Sequence, residues 1–221
     1  MSKTKNVNWD IEPHTEAKLV ILKKYLDAWL PIITRWNSRI LYIDGFAGPG
    51  EYKNGHDGSP VVAIKSILEH KSKNNLVAEI IMIFIEADKE RHEFHRQKIE
   101  SFKLPTNIKT DCILGKFNDV LVNILNNLDE QKKILAPSFV FIDPFGFSNI
   151  PFSTIKKIME NKKCEVLITF MFEEINRFIS DEKLWDSLKE LFGTDNWKSM
   201  INLQNPEDRL NVLHNIYKNQ L

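Results

Sequence analysis

The chain has 221 residues, of which 43% are hydrophobic and 27% are charged. These proportions are typical of soluble globular proteins and exclude a chain that is mainly disordered. Thirty Lys and Arg residues balance 30 Asp and Glu residues, so the formal net charge is zero. A protein that binds long nucleic acid through its backbone usually carries a basic excess, so a nucleic-acid substrate would need a local patch or help from a partner.

Hydropathy and cysteine content exclude several further classes. No run of about 18 apolar residues occurs, so we expect no membrane-spanning helix, and the polar segment from Met1 to Asp10 predicts neither a signal peptide nor an anchor. The two cysteines, Cys112 and Cys164, each lie in an apolar segment. This is typical of reduced, buried thiols in a cytoplasmic protein, and it excludes a disulfide scaffold or a cysteine-rich zinc site.

The first predicted elements are a long helix, a strand and a second helix. A helical pattern runs from about residue 12 to residue 36, and Pro31 is expected to kink or end it. The apolar run 40–43 predicts a buried strand that leads into a glycine-rich turn. Ser59 is predicted to cap the next helix, with Pro60 as its first residue and an end near residue 70.

Four further apolar segments predict strands at 80–85, 107–114, 138–142 and 164–172, and helical patterns separate them. Five continuously apolar strands alternating with helices predict an α/β fold with a doubly wound (Rossmann-like), mostly parallel sheet. Only helical patterns follow residue 180, one of them stopping at Gly193. We therefore expect an N-terminal helical segment (1–38), a Rossmann-like domain (39–180) and a helical C-terminal region (181–221), which stops within a helix as a truncated product would.

Acidic residues follow three of the predicted strands, namely Asp44, Glu86 and Asp143. Ligands of an open parallel sheet bind outside the carboxyl ends of its strands, so we expect these carboxylates to share a ligand site. Gly48 and Gly50 in the turn after Asp44 let a ligand approach the backbone closely and leave amides free to donate. A tight turn that binds nothing is the alternative.

Glu86 is placed to accept hydrogen bonds from two ribose hydroxyls, as an acid after the second strand commonly does. Its alternative is to cap the following helix, a role that Asp88 could fill instead. A dinucleotide fingerprint would need a glycine where this chain has Lys53, so hydride transfer is disfavoured.

The segment Asp143-Pro144-Phe145-Gly146 follows the fourth strand and offers two hydrogen-bond acceptors in one rigid turn, a carboxylate and the proline carbonyl. An exocyclic amine of a nucleobase is a poor nucleophile because its lone pair is delocalised. Two acceptors aimed at its hydrogens favour a tetrahedral nitrogen and stabilise the charge that builds there during alkyl transfer. Phe145 or Phe147 could stack on the base, and an ordinary turn with core aromatics is the alternative.

Residues along the whole chain complete the pattern. They are His14-Thr15, Lys18, Tyr25-Leu26, Trp29, Asp44 to Gly50, Tyr52, Gly58-Ser59-Pro60, Glu86, Asp143 to Gly146, Asn176-Arg177 and Phe192-Gly193. The set resembles the S-adenosylmethionine-dependent methyltransferases and, more fully, the three-Cys-motif partner (TcmP) proteins of bacteria. It is also similar to the large-subunit ribosomal RNA adenine-N6 methyltransferases, although the Asp-Pro-Phe-Gly form is more similar to enzymes that methylate the exocyclic amine of tRNA guanine.

The resemblance implies a cytoplasmic, bacterial methyltransferase that uses S-adenosylmethionine, acts on an exocyclic amine of a base in RNA or DNA, and works with a three-Cys-motif partner protein. The implied cofactor-binding residues are Lys18, Asp44, Phe46, Ala47, Gly48, Gly50 and Glu86. The implied catalytic residues are Asp143, Pro144, Phe145 and Gly146. For Lys18, a contact with the cofactor's carboxylate and a plain surface position remain equally open.

Two other functions remain open at this stage. One is a catalytically silent module that binds the cofactor and acts through a protein partner. The other is a phosphodiesterase whose three strand-end acids hold magnesium, since hard cations prefer carboxylate oxygens. His92 and His95 stand one turn apart on a charged helix, and we expect them to be solvated surface residues rather than metal ligands.

Overall fold

The computed structural model of the chain describes residues 9–220, so the expectations for the first eight residues and for Leu221 lie outside the described residues. One sheet of five strands forms the centre of this part of the chain, in the order β3-β2-β1-β4-β5. All four strand pairs are parallel. The predicted doubly wound α/β fold is confirmed. The strands are β1 (Arg39–Asp44), β2 (Glu79–Glu86), β3 (Ile108–Leu114), β4 (Ser138–Ile142) and β5 (Cys164–Ile168).

Helices cover both faces of the sheet, so the strands contribute to two separate cores. One core contains α4, α5 and the C-terminal helices with Ile43 and Val140. The other contains α1 and α2 with Tyr42 and Phe141. The α-helices within the described residues are α1 (Pro13–Trp36), α2 (Ser59–Leu68), α3 (Lys89–Glu100), α4 (Phe117–Glu130), α5 (Phe152–Met159), α6 (Phe172–Phe178), α7 (Trp185–Phe192) and α8 (Pro206–Lys218).

The segments flanking the sheet share its cores. Leu22 and Leu26 of α1 are buried beside the strands, as are Leu191 and Phe192 of α7 on the opposite face. The extra N-terminal helix and the helical C-terminal region are confirmed as elements, while the division into three parts stays a prediction. No helix within residues 9–220 is long and apolar enough to cross a bilayer.

Pro31 neither ends α1 nor leaves a backbone group unpaired. A proline inside a helix cannot bond the carbonyl four residues earlier, here that of Asp27. The His70 Nε2 lies 2.9 Å from this Asp27 oxygen, and the Ser72 amide donates to His70 Nδ1 at 3.0 Å. Because Nδ1 accepts, Nε2 carries the proton and donates to the carbonyl. The helix therefore continues to Trp36.

Two predicted boundaries were wrong. Gly58, not Ser59, is the N-cap residue of α2. The Ser59 hydroxyl instead lowers the pKa of the Asp44 carboxyl group. The fifth strand ends at Ile168, and Phe172 begins a helix that the apolar sequence did not reveal. At the C-terminus, α7 stops at Gly193 as predicted, and α8 ends at Lys218 before the chain does.

Candidate cofactor and acceptor site

The sheet brings the three predicted strand-end acids to one edge. Asp44 ends β1, which lies between β2 and β4, while Glu86 ends β2 and Asp143 directly follows β4. Asp44 is fully buried and Glu86 is 6% exposed. The β1/β4 boundary is where the strand order reverses, the place where open α/β sheets bind ligands.

The glycine turn after β1 is held by hydrogen bonds from its own backbone. The Ala47 amide donates to the Ile85 carbonyl at 2.9 Å, and the Gly48 amide donates to Glu86 Oε2 at 2.9 Å. The expectation that the Gly48 amide is free was therefore wrong, because the neighbouring strand already accepts from it. Glycine is favoured at both positions of the turn, because Gly48 and Gly50 have positive φ angles of +61° and +79°. Phe46 stacks on Phe117 of α4, with ring centroids 5.6 Å apart.

Asp44 has one oxygen with no hydrogen-bond partner. Its Oδ1 accepts from the Phe46 amide at 3.3 Å, whereas Oδ2 is buried and has no partner within residues 9–220. Burial raises the pKa of Asp44 to about 7; the Ser59 hydroxyl and the Phe46 amide oppose this rise, and the charges of Asp143 and Glu86 add to it. The site thus contains a buried carboxyl group with one oxygen, Oδ2, that has no hydrogen-bond donor within residues 9–220.

The Glu86 carboxylate already accepts from three hydrogen-bond donors of this chain. Its Oε2 accepts from Gly48, while its Oε1 accepts from the Asp88 amide at 2.8 Å and pairs with Arg91 Nη2 at 3.2 Å. A carboxylate offers about four lone-pair sites, so about one is left. Asp88 itself caps α3, accepting from the amides of Glu90 and Arg91, which is the alternative role considered for Glu86.

A crevice lies between the glycine turn, Ser59 and Asp143. The side chains of Trp9, Tyr52, Phe145 and Arg91 cover it, and we call these four side chains the cap. The Arg91 guanidinium lies 5.9 Å from the Trp9 ring and 5.6 Å from the Phe145 ring. Trp9 contacts Phe145 edge-on at 5.5 Å and Tyr52 at 6.0 Å. The Lys53 amide donates to the Trp9 carbonyl at 2.9 Å, which ties the cap to the loop after the glycine turn.

Little free volume remains beneath the cap. The cavity bounded by the glycine turn, Ser59, Asp143 and the cap rings has a volume of about 30 Å³. This is far below the roughly 300–1,000 Å³ of small-molecule sites in proteins. A nucleoside therefore enters this crevice only if the cap moves.

In the predicted catalytic motif, Asp143 pairs with a cation of this chain. Lys18 Nζ of α1 donates to Asp143 Oδ1 at 2.7 Å, and both side chains are mostly buried. The expected contact of Lys18 with a cofactor carboxylate stays a prediction, since the structure gives this lysine another partner. Phe145 is 67% exposed whereas Phe147 is buried, so Phe145 is the ring accessible for stacking. Gly146 has a φ of +94°, which favours glycine.

A second, larger cavity opens on the other side of Asp143. It has a volume of about 900 Å³ and lies between the start of α1, the motif and the start of α6. Pro144, Phe145 and Phe170 line it, together with Glu173 and Glu174. Its size is in the range of small-molecule sites in proteins, and it shares Trp9, Tyr52, Asp143 and Phe145 with the crevice.

His95 was expected at the solvated surface, and this was wrong. Its side chain is fully buried and its Nδ1 lies 2.8 Å from the Gly48 carbonyl oxygen. His92 is half-buried and contacts the Cys112 carbonyl through Nε2 at 3.1 Å. The polar sequence of α3 hid this, because only His95 and Ile99 of the helix are buried.

Sequence reasoning also missed Trp9 and Arg91. Trp9 stands in a polar segment without periodicity. Arg91 is three residues after the cap residue Asp88, in the first turn of the helix after the second strand, and helix starts at this edge of such sheets commonly face ligands. The position of Arg91 in this first turn was the sequence signal that could have identified it as a site residue.

The three strand-end acids do not form a magnesium site. Within residues 9–220, no group of three or more His, Cys, Asp or Glu side chains is arranged to hold a metal ion. Glu86 and Asp143 instead pair with Arg91 and Lys18. The phosphodiesterase alternative therefore loses the ligand set on which it depended.

Comparison with known proteins gives limited similarity. No protein-family model and no curated protein matches the chain. A crystal structure of a Haemophilus influenzae protein assigned as a methylase matches with a TM-score of 0.38 and 19% identity, over 63% of this chain and 63% of that one. The SAH-bound methyltransferase PaMTH1 of Podospora anserina matches with a TM-score of 0.35 and 13% identity, over 96% of this chain and 78% of that one. The chain thus spans less than two thirds of the first neighbour, and neither match assigns it a function.

Proposed function

We propose that this chain is an S-adenosylmethionine-dependent methyltransferase that acts on an exocyclic amine of a nucleic-acid base. The observation that carries the proposal is the buried Asp44 Oδ2, which has no hydrogen-bond partner within residues 9–220. An unpaired buried acceptor costs about 1–3 kcal/mol, so it is expected where a ligand supplies the donor. The ammonium group of the cofactor's methionine portion is a donor of the right charge.

Glu86 fits the ribose of the same cofactor. It ends the strand beside β1, at the position from which an acid commonly binds ribose hydroxyls in doubly wound folds. Two such bonds need two acceptor sites, and about one is left on Glu86. Arg91 is the donor best able to withdraw, because it is a long side chain whereas the other two donors are backbone amides.

Withdrawal of Arg91 from Glu86 would also open the crevice. Arg91 contacts both Trp9 and Phe145, so its release from Glu86 would loosen the cap above the glycine turn. The residues that would hold the cofactor are Asp44, Gly48, Gly50 and Glu86, with Phe46 and Ala47 shaping the turn.

On the acceptor side, Asp143 and the Pro144 carbonyl would bind the two hydrogens of the amine. When bound, the cofactor supplies a methyl group activated by a sulfonium. The two acceptors would hold the nitrogen with its lone pair directed at that methyl group, and they would stabilise the positive charge that develops on the nitrogen. Lys18 occupies Asp143 Oδ1 at 2.7 Å, so the amine would use the remaining acceptor sites of Asp143 or displace Lys18.

The larger cavity suits the acceptor base. Its volume of about 900 Å³ accommodates a nucleobase with its sugar, and it opens directly beside Asp143 and Pro144. The exposed ring of Phe145 is available to stack on a base removed from its helix. The resemblance to the three-Cys-motif partner proteins adds a protein partner, which would supply the basic excess that a chain of zero net charge does not have.

A catalytically silent module that binds the cofactor is the second candidate. The Lys18–Asp143 pair favours it, because the carboxylate proposed to bind the amine already has a cation of this chain as its partner. In that case the chain would bind the cofactor and act through its protein partner, with no methyl transfer.

A labelled-methyl assay on total RNA and total DNA separates the two candidates. With tritiated S-adenosylmethionine, the native chain is expected to label one nucleic acid, and Asp143→Ala to lower the initial rate at least 100-fold through loss of the amine acceptor. Asp129→Ala, at an exposed position of α4, is the control and is expected to keep the native rate. Cofactor binding without transfer to any nucleic acid would contradict the enzyme proposal and favour the silent module.

A further inference from the structure

The starting observation is a buried histidine beneath the glycine turn. His95 has no exposed surface, although ten of the twelve residues of its helix, KERHEFHRQKIE, are charged, amide-bearing or histidine. Its Nδ1 lies 2.8 Å from the Gly48 carbonyl oxygen. A carbonyl only accepts, so Nδ1 carries the proton and donates. The proton on Nδ1 of His95 is therefore fixed by the Gly48 carbonyl of the glycine turn.

The other ring nitrogen of His95, Nε2, does not hold the glycine turn. His95 Nε2 is buried and has no hydrogen-bond partner within residues 9–220. Burial lowers the pKa of His95 to about 4, so the ring stays neutral near pH 7. A leucine at this place would avoid an unpaired buried nitrogen. The feature that histidine adds is the bond from Nδ1 to Gly48.

That bond fixes the second of the two peptide groups on either side of the Gly48 Cα. The Gly48 amide is bound by Glu86 of β2 and the Gly48 carbonyl by His95 of α3. A Cβ on Gly50 would lie 3.0 Å from the His95 Cβ, so the same side chain also supports the second glycine from below. The turn is thus held between a strand and a helix.

We infer that His95 is a positioning residue for the cofactor site, which holds the Gly48 carbonyl and thereby keeps both the turn and Glu86 in the cofactor-binding arrangement. The inference rests on the proposed function. Without the Nδ1 donor, the Gly48 carbonyl loses its only side-chain partner given by the structure within residues 9–220, and the backbone of the turn can shift. Such a shift would weaken the hydrogen bond from the Gly48 amide, in the preceding peptide, to Glu86, and the ribose acceptor would lose its orientation.

Two isosteric variants distinguish positioning from simple core packing. The side-chain amide of His95→Asn can place its nitrogen where Nδ1 lies, whereas His95→Gln reaches one methylene further, toward the position of Nε2. His95→Leu fills the space with no donor. The measurements are the dissociation constant for S-adenosylhomocysteine by calorimetry and the hydrogen-exchange rate of the Gly48 amide in the unliganded protein.

We expect His95→Asn to bind S-adenosylhomocysteine within about threefold of the native chain, and His95→Gln and His95→Leu to bind about tenfold more weakly or worse, as for loss of one well-placed hydrogen bond. The Gly48 amide should exchange about tenfold faster in the latter two variants only. If His95→Leu does not fold, the comparison of the Asn and Gln variants decides.

Equal binding and equal Gly48 exchange in native and all folded variants would overturn the positioning role while leaving the proposed cofactor intact. A native chain that does not bind S-adenosylhomocysteine would instead contradict the proposed function, and with it the cofactor part of this inference. In that case the exchange rates still report whether His95 holds the turn.

Discussion

At the scale of single residues, Asp44 is buried in the candidate site at an electrostatic cost. The carboxyl group is fully buried, and one of its oxygens has no donor within residues 9–220. Its pKa is raised to about 7, against an ordinary value near 3.9 in an unfolded chain. Between these two pH values the folded protein keeps a proton that the unfolded chain has released, so this group destabilises the fold increasingly as the pH rises from about 4 to about 7.

Asp44→Asn should therefore stabilise the unliganded protein while weakening cofactor binding. The expected gain in the free energy of unfolding is roughly 2–4 kcal/mol at pH 8, where the native carboxylate is charged, and it should shrink toward zero near pH 4. Denaturant unfolding across this pH range measures it. S-adenosylhomocysteine affinity should fall at least tenfold, because the amide cannot pair with an ammonium group as a carboxylate does.

The outcome against this prediction is a variant that is less stable than the native chain at pH 8. It would show that the Asp44 carboxylate is satisfied within the chain and is not held for a ligand. Asp129→Asn, which changes an exposed carboxylate of α4, controls for general charge effects and should change stability by less than about 0.5 kcal/mol.

At the scale of elements, Trp9 in the segment before α1 covers the crevice. Trp9 contacts Tyr52, Phe145 and Arg91, and the cavity beneath holds about 30 Å³. Binding of a nucleoside therefore requires an opening step, and the observed association rate is reduced by the fraction of molecules that are closed.

Trp9→Ala should raise the association rate of S-adenosylhomocysteine by at least about tenfold, because it removes three contacts that each add about 0.5–1.5 kcal/mol to the cost of opening. Stopped-flow fluorescence of the remaining tryptophans measures it. Trp36→Ala at the other end of α1, where the ring is 74% exposed, is the matched control and should keep the native rate. A Trp9→Ala rate equal to or below the native one would show that the cap is not what limits entry.

The end of α7 provides a separate test of the C-terminal packing. Gly193 terminates the helix with a φ of +64°, and a Cβ there would lie 2.9 Å from the Phe152 ring of α5. Gly193→Ala should destabilise the protein by about 2–4 kcal/mol, from both backbone strain and the clash. Gly55→Ala has a similar φ of +81° but open space around its Cβ, and it should cost only about 1 kcal/mol. Thermal unfolding that gives equal losses for the two variants would contradict the packing of α7 against α5.

At the scale of the whole molecule, the strand order makes one edge of the sheet chemically distinct from the other. The order β3-β2-β1-β4-β5 places the ends of β2, β1 and β4 side by side, so acids far apart in the sequence meet. The zero net charge of the chain offers no general attraction for a polyanion. Recognition of a nucleic acid would therefore depend on local contacts and on a partner.

The sequence was sufficient for the architecture, because buried parallel strands are continuously apolar and glycine and proline mark their ends. It was also sufficient to predict that Asp44, Glu86 and Asp143 share one edge of the sheet, because each stands at or directly after the end of a predicted strand. It was not sufficient for contacts that depend on side-chain direction. His95 and Arg91 lie on a helix whose polar composition predicts a solvated surface, and only the tertiary structure turns them toward Gly48 and Glu86. The Lys18–Asp143 pair joins positions 125 residues apart, and no local pattern encodes it.

We propose that Asp44 and Glu86 jointly bind one S-adenosyl nucleoside after Arg91 withdraws from Glu86. A crystal structure of the chain grown with S-adenosylhomocysteine would show whether they do. We predict the ribose hydroxyls on Glu86, the amino group at Asp44 Oδ2, and Arg91 displaced from Glu86. A crevice in which Arg91 still pairs with Glu86 beneath Trp9, with no bound nucleoside at saturating concentration, would contradict it.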